Sequence, residues 1–270
     1  MTLTDWRYLG ARRDSEVLLG VNFDTGQTGA NLAGLAANLP DLSLIELVFP
    51  PPQADFAAAL TVTELVRRWD NEFAEHGLMA RGVIGYCAGG GLARAIARAA
   101  AAESPMPVMI IDPSPVIPDT FYWSFHAATD SLTAQLPPGT VGRARQKAKS
   151  ALAAAGRTTK PPTALATTLS QEYTGLVAAA GARLGLHDTL VRQLRTRFDA
   201  YLAYLLASAQ AWSENENQQD GELVLLSKEH VYDEADFSRH QRFPLARADL
   251  LTDPTVAGVV LDAVAEAGRR

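Results

Sequence analysis

The stretch that most restricts this chain is Arg81-Gly-Val-Ile-Gly-Tyr-Cys-Ala-Gly-Gly-Gly91, which runs into the alanine-rich segment from Leu92 to Ala102. An apolar run ends at Tyr86, Cys87 follows, glycines stand two residues to either side at Gly85 and Gly89, and a helical pattern begins at once. The order is strand, sharp turn, helix. Such a turn strains the backbone at Cys87, so the residues two before and two after it must be small enough for strand and helix to cross closely. The sulfur then stands at the end of a sheet, beside the first free N–H groups of the helix, where a thiolate is stabilised. A lone cysteine is more often a small buried hydrophobe. The strand, the glycine spacing and the helix together favour the exposed turn.

With 270 residues the chain fits one large α/β domain or two small ones and can bury a substantial core. A formal net charge of −6 argues against nucleic acid or an anionic membrane as the main partner. One cysteine leaves no internal disulfide and no multi-thiolate zinc site, and the five histidines lack H-E-x-x-H spacing, so neither metal nor cofactor is expected. The single thiol points to a reducing cytoplasm. The N-terminus lacks an export pattern and no apolar run approaches the ~18 residues of a membrane span. The start at Met1 with a short lead fits a free-standing enzyme better than an excised domain.

Taken in order, Glu16 to Phe23 reads as a buried parallel strand, Asp24 to Gly29 as a loop, Ala30 to Leu39 as a helix with Leu32, Leu35 and Leu39 on one face, and Leu42 to Phe49 as the next strand. This is a βαβ unit with an expected right-handed crossover. Neither G-x-G-x-x-G nor G-x-x-x-x-G-K-[ST] occurs, which speaks against a nucleotide fold. Thr61 to Gly77 carries a helical stripe of Val62, Leu65, Val66, Trp69 and Phe73, and Pro107 to Ile111 forms the strand after the turn. Between Asp119 and Asp220 no strand pattern is convincing; His187 to Trp212 is a long helical pattern. Strands are expected again at Glu222–Leu226 and at Arg242–Ala246, and a final helix from Pro254 to Ala267.

The segment around Cys87 resembles the nucleophile elbow G-x-S-x-G of α/β-hydrolases, and with cysteine in place of serine it looks most like the thioesterases that serve polyketide and nonribosomal-peptide synthases; dienelactone hydrolases also place a cysteine there. The resemblance extends over nearly the whole chain. It implies an α/β-hydrolase fold over residues 1–270 with a mostly parallel central sheet, and a helical lid insertion at 119–221. It makes Cys87 the nucleophile and Asp112, at the end of the strand after the elbow, the triad acid; a turn cap is the plainer reading of Asp112. The amide of Phe23 or Asp24 would join that of Ala88 as the oxyanion hole, one such donor being worth about 3 kcal/mol in the transition state. A plain surface turn is the alternative there.

The family's histidine precedes the terminal helix in a segment of the form G-D-H-x-x-L-L. Here the segment is Leu245-Ala-Arg-Ala-Asp-Leu-Leu251, which puts Arg247 in the histidine's place. His230 is the candidate base on topology, since it follows the C-terminal end of a strand; His240 and no histidine at all are the other readings. The resemblance implies acyl transfer, cyclisation or hydrolysis of a thioester carried by coenzyme A or by an acyl or peptidyl carrier protein, through a Cys87 acyl-enzyme. An acidic carrier has the basic stretch Arg143–Lys149 to dock on, although a solvated helix face explains that stretch as well. The rival expectation is a repurposed fold without a full triad, acting as an isomerase, a cyclase or a binding protein. A Cys-dependent hydrolase of lactones or esters is a third.

Overall fold

The computed structural model describes residues 3–10, 14–23, 31–50, 56, 61–100, 106–156, 161–214, 222–231 and 237–269. Within them the chain divides into two compact units, one formed by residues 1–48, 60–115 and 211–270, the other by 49–59 and 116–210.

The first unit is built on a seven-stranded sheet: β1 (Trp6–Leu9), β2 (Glu16–Val21), β3 (Ser43–Leu47), β4 (Met79–Tyr86), β5 (Val108–Ile111), β6 (Leu223–Leu226) and β7 (His240–Arg242), in the spatial order β1-β3-β2-β4-β5-β6-β7. Only β1 runs antiparallel to its neighbour. The central strands β2 and β5 are apolar runs with both faces covered, as parallel strands require. The chain passes outward from β2 to β3 and returns to the other side of β2 as β4. Ligands of open parallel sheets bind where the strand order reverses in this way, outside the carboxyl ends of the strands. That point lies between the ends of β2 and β4, which carry Phe23 and Cys87.

The expected helices are present. α1 (Leu32–Ala37) is capped by Asn31 and buries Leu32 and Leu35. α2 (Val62–His76) opens on a Thr61/Glu64 capping box and closes on Gly77 in the left-handed conformation. α3 (Gly90–Ala100) follows the elbow, and α8 (Pro254–Ala267) buries Val256, Val260 and Val264. One strand lies outside the expectations and one strand expectation needs correction. β1 was not foreseen, and the last strand covers His240–Arg242 rather than Arg242–Ala246. All three residues of β7 are exposed, so the strand carries no alternation of apolar and polar side chains by which it could be found. His240 therefore lies within an edge strand, not in the connection before it.

The second unit contains α4 (Pro118–Asp130), α5 (Thr140–Ala155), α6 (Thr163–Leu184) and most of α7 (Asp188–Glu214), the last residues of α7 belonging to the first unit. Phe121 and Phe125 of α4 are fully buried, and Phe125 packs near Phe198 of α7. The basic stretch falls on α5 and is partly spent internally: Arg145 binds Thr129, the His126 carbonyl and Asp130, and Lys147 pairs with Glu172. No helix among the described residues is long and apolar enough to cross a membrane.

α3 is tied down by an ion pair that the sequence does not announce. Arg94, one turn into the helix, donates through Nε and Nη2 to both carboxylate oxygens of Glu222 (2.8 and 2.7 Å), and the two side chains are 4% and 0% exposed. The Trp212 ring covers the guanidinium at 4.7 Å. A Glu222→Gln protein is expected to lose about 3 kcal/mol, because the buried Arg94 charge is left uncompensated while the amide oxygen keeps one hydrogen bond, read from the urea midpoint. Arg94→Met combined with Glu222→Leu should recover most of that loss, because removing both charges also removes their desolvation cost. A single variant as stable as wild type would mean that the pair does not anchor α3.

Candidate active site

At the end of β4 the chain makes one turn of 3₁₀ helix, Cys87–Gly89, and enters α3. Among the described residues only Cys87 (φ 52°) and Asp112 (φ 50°) are non-glycine residues with positive φ. Side chains seldom adopt this conformation, and it persists where surrounding structure enforces it, often at functional sites. The crossing explains the glycines. A Cβ on Gly85 would lie 2.6 Å from the Gly90 Cα and 2.8 Å from the Gly89 carbonyl oxygen. Gly90 and Gly91 are small for a different reason, since a Cβ on either would meet Trp212 within 3.0 Å. Trp212 also donates from Nε1 to the Ala88 carbonyl at 3.2 Å, bracing the turn from its outer side.

Cys87 is partly exposed and keeps a free thiol. The Ala88 N–H and the Ser114 hydroxyl both favour its thiolate. Burial pushes the thiol above the ordinary cysteine range; the Arg247 charge is the largest opposing influence, and the Asp112 carboxylate adds to the upward push. Ser114 also donates its backbone N–H to the Cys87 carbonyl at 3.3 Å. Sequence reasoning missed Ser114; its position between two prolines just past the acid was the available signal.

Asp112 follows β5, fully buried. Its N–H donates to the Leu225 carbonyl at 2.7 Å, which extends the sheet by one bond past β5. The carboxylate is shared. Oδ1 accepts from the Ser227 N–H and hydroxyl, both at 3.0 Å, and lies 3.2 Å from His230 Nδ1; Oδ2 accepts from Arg247 Nε. The sequence expectation thus meets a site in which Asp112 and His230 come together, while Arg247 takes the other oxygen.

His230 is 6% exposed as a residue, with a fully buried side chain. Burial pulls its pKa below the ordinary histidine value, Asp112 opposes that and the Arg242 charge reinforces it, so the imidazole is neutral at pH 7. Arg242 of β7 fixes the turn by donating to the carbonyls of Ser227 (2.7 Å) and His230 (3.4 Å).

Arg247 is placed by three contacts. Its N–H donates to Glu229 Oε2 at 3.1 Å, its carbonyl accepts from the Tyr86 hydroxyl at 3.5 Å, and its side chain meets Asp112. Burial weakens the guanidinium, but the hydrogen bond and charge of Asp112 outweigh it and hold the pKa above the ordinary arginine value. The residue counted into the histidine's place by sequence is therefore the cation that acts on the thiol.

Of the oxyanion candidates, Ala88 lies in the turn and Phe23 is partly buried just past β2, whereas Asp24 lies outside the described residues. Val21 pairs with Gly85, which puts Phe23, two residues past β2, at the same edge of the sheet as the Cys87 turn. Asn22, missed by sequence reasoning, is buried at the same strand end with no partner for Nδ2 among the described residues. No group of three or more His, Cys, Asp or Glu side chains suited to a metal ion occurs among the described residues.

A mostly parallel sheet, a strained cysteine between strand and helix, and a buried acid after the next strand define the α/β-hydrolase fold, and solved structures bear this out. The chain is similar to a four-domain nonribosomal peptide synthetase bound to AMP and glycine (TM-score 0.55, 16% identity, 96% of this chain). It spans about a fifth (20%) of that synthetase's length. It is also similar to an α/β-hydrolase family protein from Desulfitobacterium hafniense (TM-score 0.52, 14% identity, 95% of this chain and 98% of that one). At these identities the likeness is one of fold. No family model and no curated protein matches the chain.

Proposed function

We propose that the protein is an enzyme of acyl chemistry, similar to the thioesterases of polyketide and nonribosomal-peptide synthesis. Cys87 is its nucleophile, Asp112 its orienting acid and His230 its base. The reading rests on one observation: a cysteine strained to φ 52° between strand and helix, whose neighbour Tyr86 hydrogen-bonds the backbone of Arg247, a cation anchored on Asp112. The thiolate attacks the carbonyl of an acyl thioester borne by coenzyme A or a carrier protein. The amides of Ala88 and of the Phe23–Asp24 segment receive the oxyanion, and the Asn22 side-chain amide at the same strand end is a further donor. For release by water, His230 accepts the proton, which its neutral state at pH 7 allows. The helical segment 119–221 is the lid insertion of this reading.

A second reading is favoured by Arg247 in the histidine's place: a repurposed fold acting as a non-hydrolytic isomerase, cyclase or binding protein. Incubation with an activated acyl thioester separates the two. Intact-mass measurement should show one acyl group on wild type and none on Cys87→Ala, and His230→Gln should prolong the life of the loaded enzyme. A loaded Cys87→Ala protein would rule out the first reading. Turnover indifferent to both His230→Ala and His240→Ala would support the second.

A further inference from the structure

We infer that Arg247 favours acyl exchange between thiols at this site, with a thioester as donor and a second thiol as the preferred acceptor over water, an inference that rests on Cys87 being acylated. Arg247 is built into the site at both ends. Tyr86, the residue before the nucleophile, and Glu229 hold its backbone, and Asp112 holds its Nε. Its side chain is 37% exposed, and among the described residues Nε is its only side-chain hydrogen-bond donor in use toward protein.

In an acyl-transfer site the group at this place protonates the leaving atom and later deprotonates the acceptor. A guanidinium, protonated up to pH 12 and beyond, does neither at neutral pH. What it does is stabilise negative charge. A thiolate, whose conjugate acid has a pKa of about 8.5, departs as the anion and needs no proton. Alkoxides and amide anions are far more basic and leave only when protonated.

The steps balance without a proton relay. Cys87 loses its proton to solvent, its Sγ forms a bond to the acyl carbon, the bond from that carbon to the donor sulfur breaks, and the departing thiolate beside Arg247 takes a proton from water. In the second half an acceptor thiolate attacks the same carbon and Cys87 Sγ leaves as the anion. Both thioesters are of one bond type, so the exchange runs close to thermal balance. Water, in contrast, has to be deprotonated, which Arg247 does not do and which falls to His230 alone, a fully buried side chain on Asp112's other oxygen, so release to water is the slower branch.

The test uses the full chain, with the octanoyl thioester of N-acetylcysteamine and ethyl octanoate as donors, and with glutathione or water as acceptor. Cys87→Ala supplies the background. Loading of Cys87 is followed by intact mass, and release by chromatography of octanoyl-glutathione and free octanoate. Wild type should load from the thioester at least about a hundredfold faster than from the ethyl ester, the usual worth of a missing general acid. It should also pass the acyl group to glutathione at least about tenfold faster than to water. Arg247→His, which restores an ionisable group, should shrink both ratios about tenfold or more. Loading by both donors at similar rates, or ratios unchanged in a folded Arg247→His protein, would overturn the inference while leaving Cys87 as an acyl acceptor. Absence of loading by either donor would overturn that acceptor role itself. If Arg247→His fails to fold by circular dichroism, Arg247→Gln takes its place: thioester loading should fall about tenfold without the charge, and loading as fast as wild type in the folded variant would overturn the inference.

Discussion

Asp112→Ala is expected to destabilise the protein by about 3–5 kcal/mol, the cost of stripping the partner from a buried charge. The carboxylate is fully buried and meets Ser227 twice, His230 and Arg247, on elements far apart in sequence. Its removal leaves the Ser227 N–H and hydroxyl without their acceptor and takes the counter-charge from Arg247. Exposure of 37% on the Arg247 side chain lets water repay part of that last loss, which argues for the lower half of the range. Alanine also fits poorly at φ 50°, where aspartate and asparagine are better tolerated. Asp112→Asn separates these contributions, since it keeps the backbone preference and one acceptor but removes the charge. Urea denaturation should place it between wild type and Asp112→Ala. Cys87 should also load more slowly in both variants, because Arg247 is no longer tethered beside the sulfur. An Asp112→Ala protein within about 1 kcal/mol of wild type would show that the cluster around the carboxylate is not what holds this end of the sheet together.

The parts of this molecule that could be read from its sequence are those written in local spacing. The elbow is a run of glycines around one cysteine, and the acid is one residue past an apolar strand. α8 announces itself with a proline and valines at three- and four-residue intervals. What stayed hidden depends on pairing across the chain. Arg94 and Glu222 stand 128 residues apart, and Arg247 and Asp112 stand 135 apart. No periodicity links such residues, although counting back from Leu250-Leu251 did single out Arg247 as an anomaly. Its meaning required the fold, which sets the anomaly on the acid itself. The histidine expectation came from topology, and the structure does bring His230 to Asp112, but on the oxygen opposite Arg247. β1 escaped notice because its four residues alternate only weakly, with Trp6 buried and Arg7 paired to Glu46 on β3.

Alkylation of Cys87 by iodoacetamide should titrate above the ordinary cysteine range, and Arg247→Ala should move the midpoint higher still. Burial is the largest influence on the thiol and disfavours the thiolate. Arg247 is the first of the opposing influences, followed by the Ala88 N–H and the Ser114 hydroxyl, while Asp112 pushes the same way as burial. Deleting the guanidinium therefore leaves burial and Asp112 opposed by two hydrogen bonds alone. At pH 7.5 each unit of upward movement lowers the thiolate fraction, and with it the alkylation rate, about tenfold. Arg247→Lys, which keeps a charge without the planar fork, should fall between the two. The same raised pKa bears on stability. Below the ordinary thiol range both folded and unfolded chains carry the proton, and the contribution is fully present. As pH rises from that range toward the folded pKa, the unfolded chain ionises first and stability declines. Tyr86, also raised by burial first, joins this decline at higher pH. Subtracting the pH profile of Cys87→Ser from that of wild type isolates the thiol's share, which should be negative in slope through the alkaline thiol range. A wild-type alkylation midpoint at or below that of free cysteine would mean that the helix end and Arg247 outweigh burial, and the order of influences at this sulfur would be reversed.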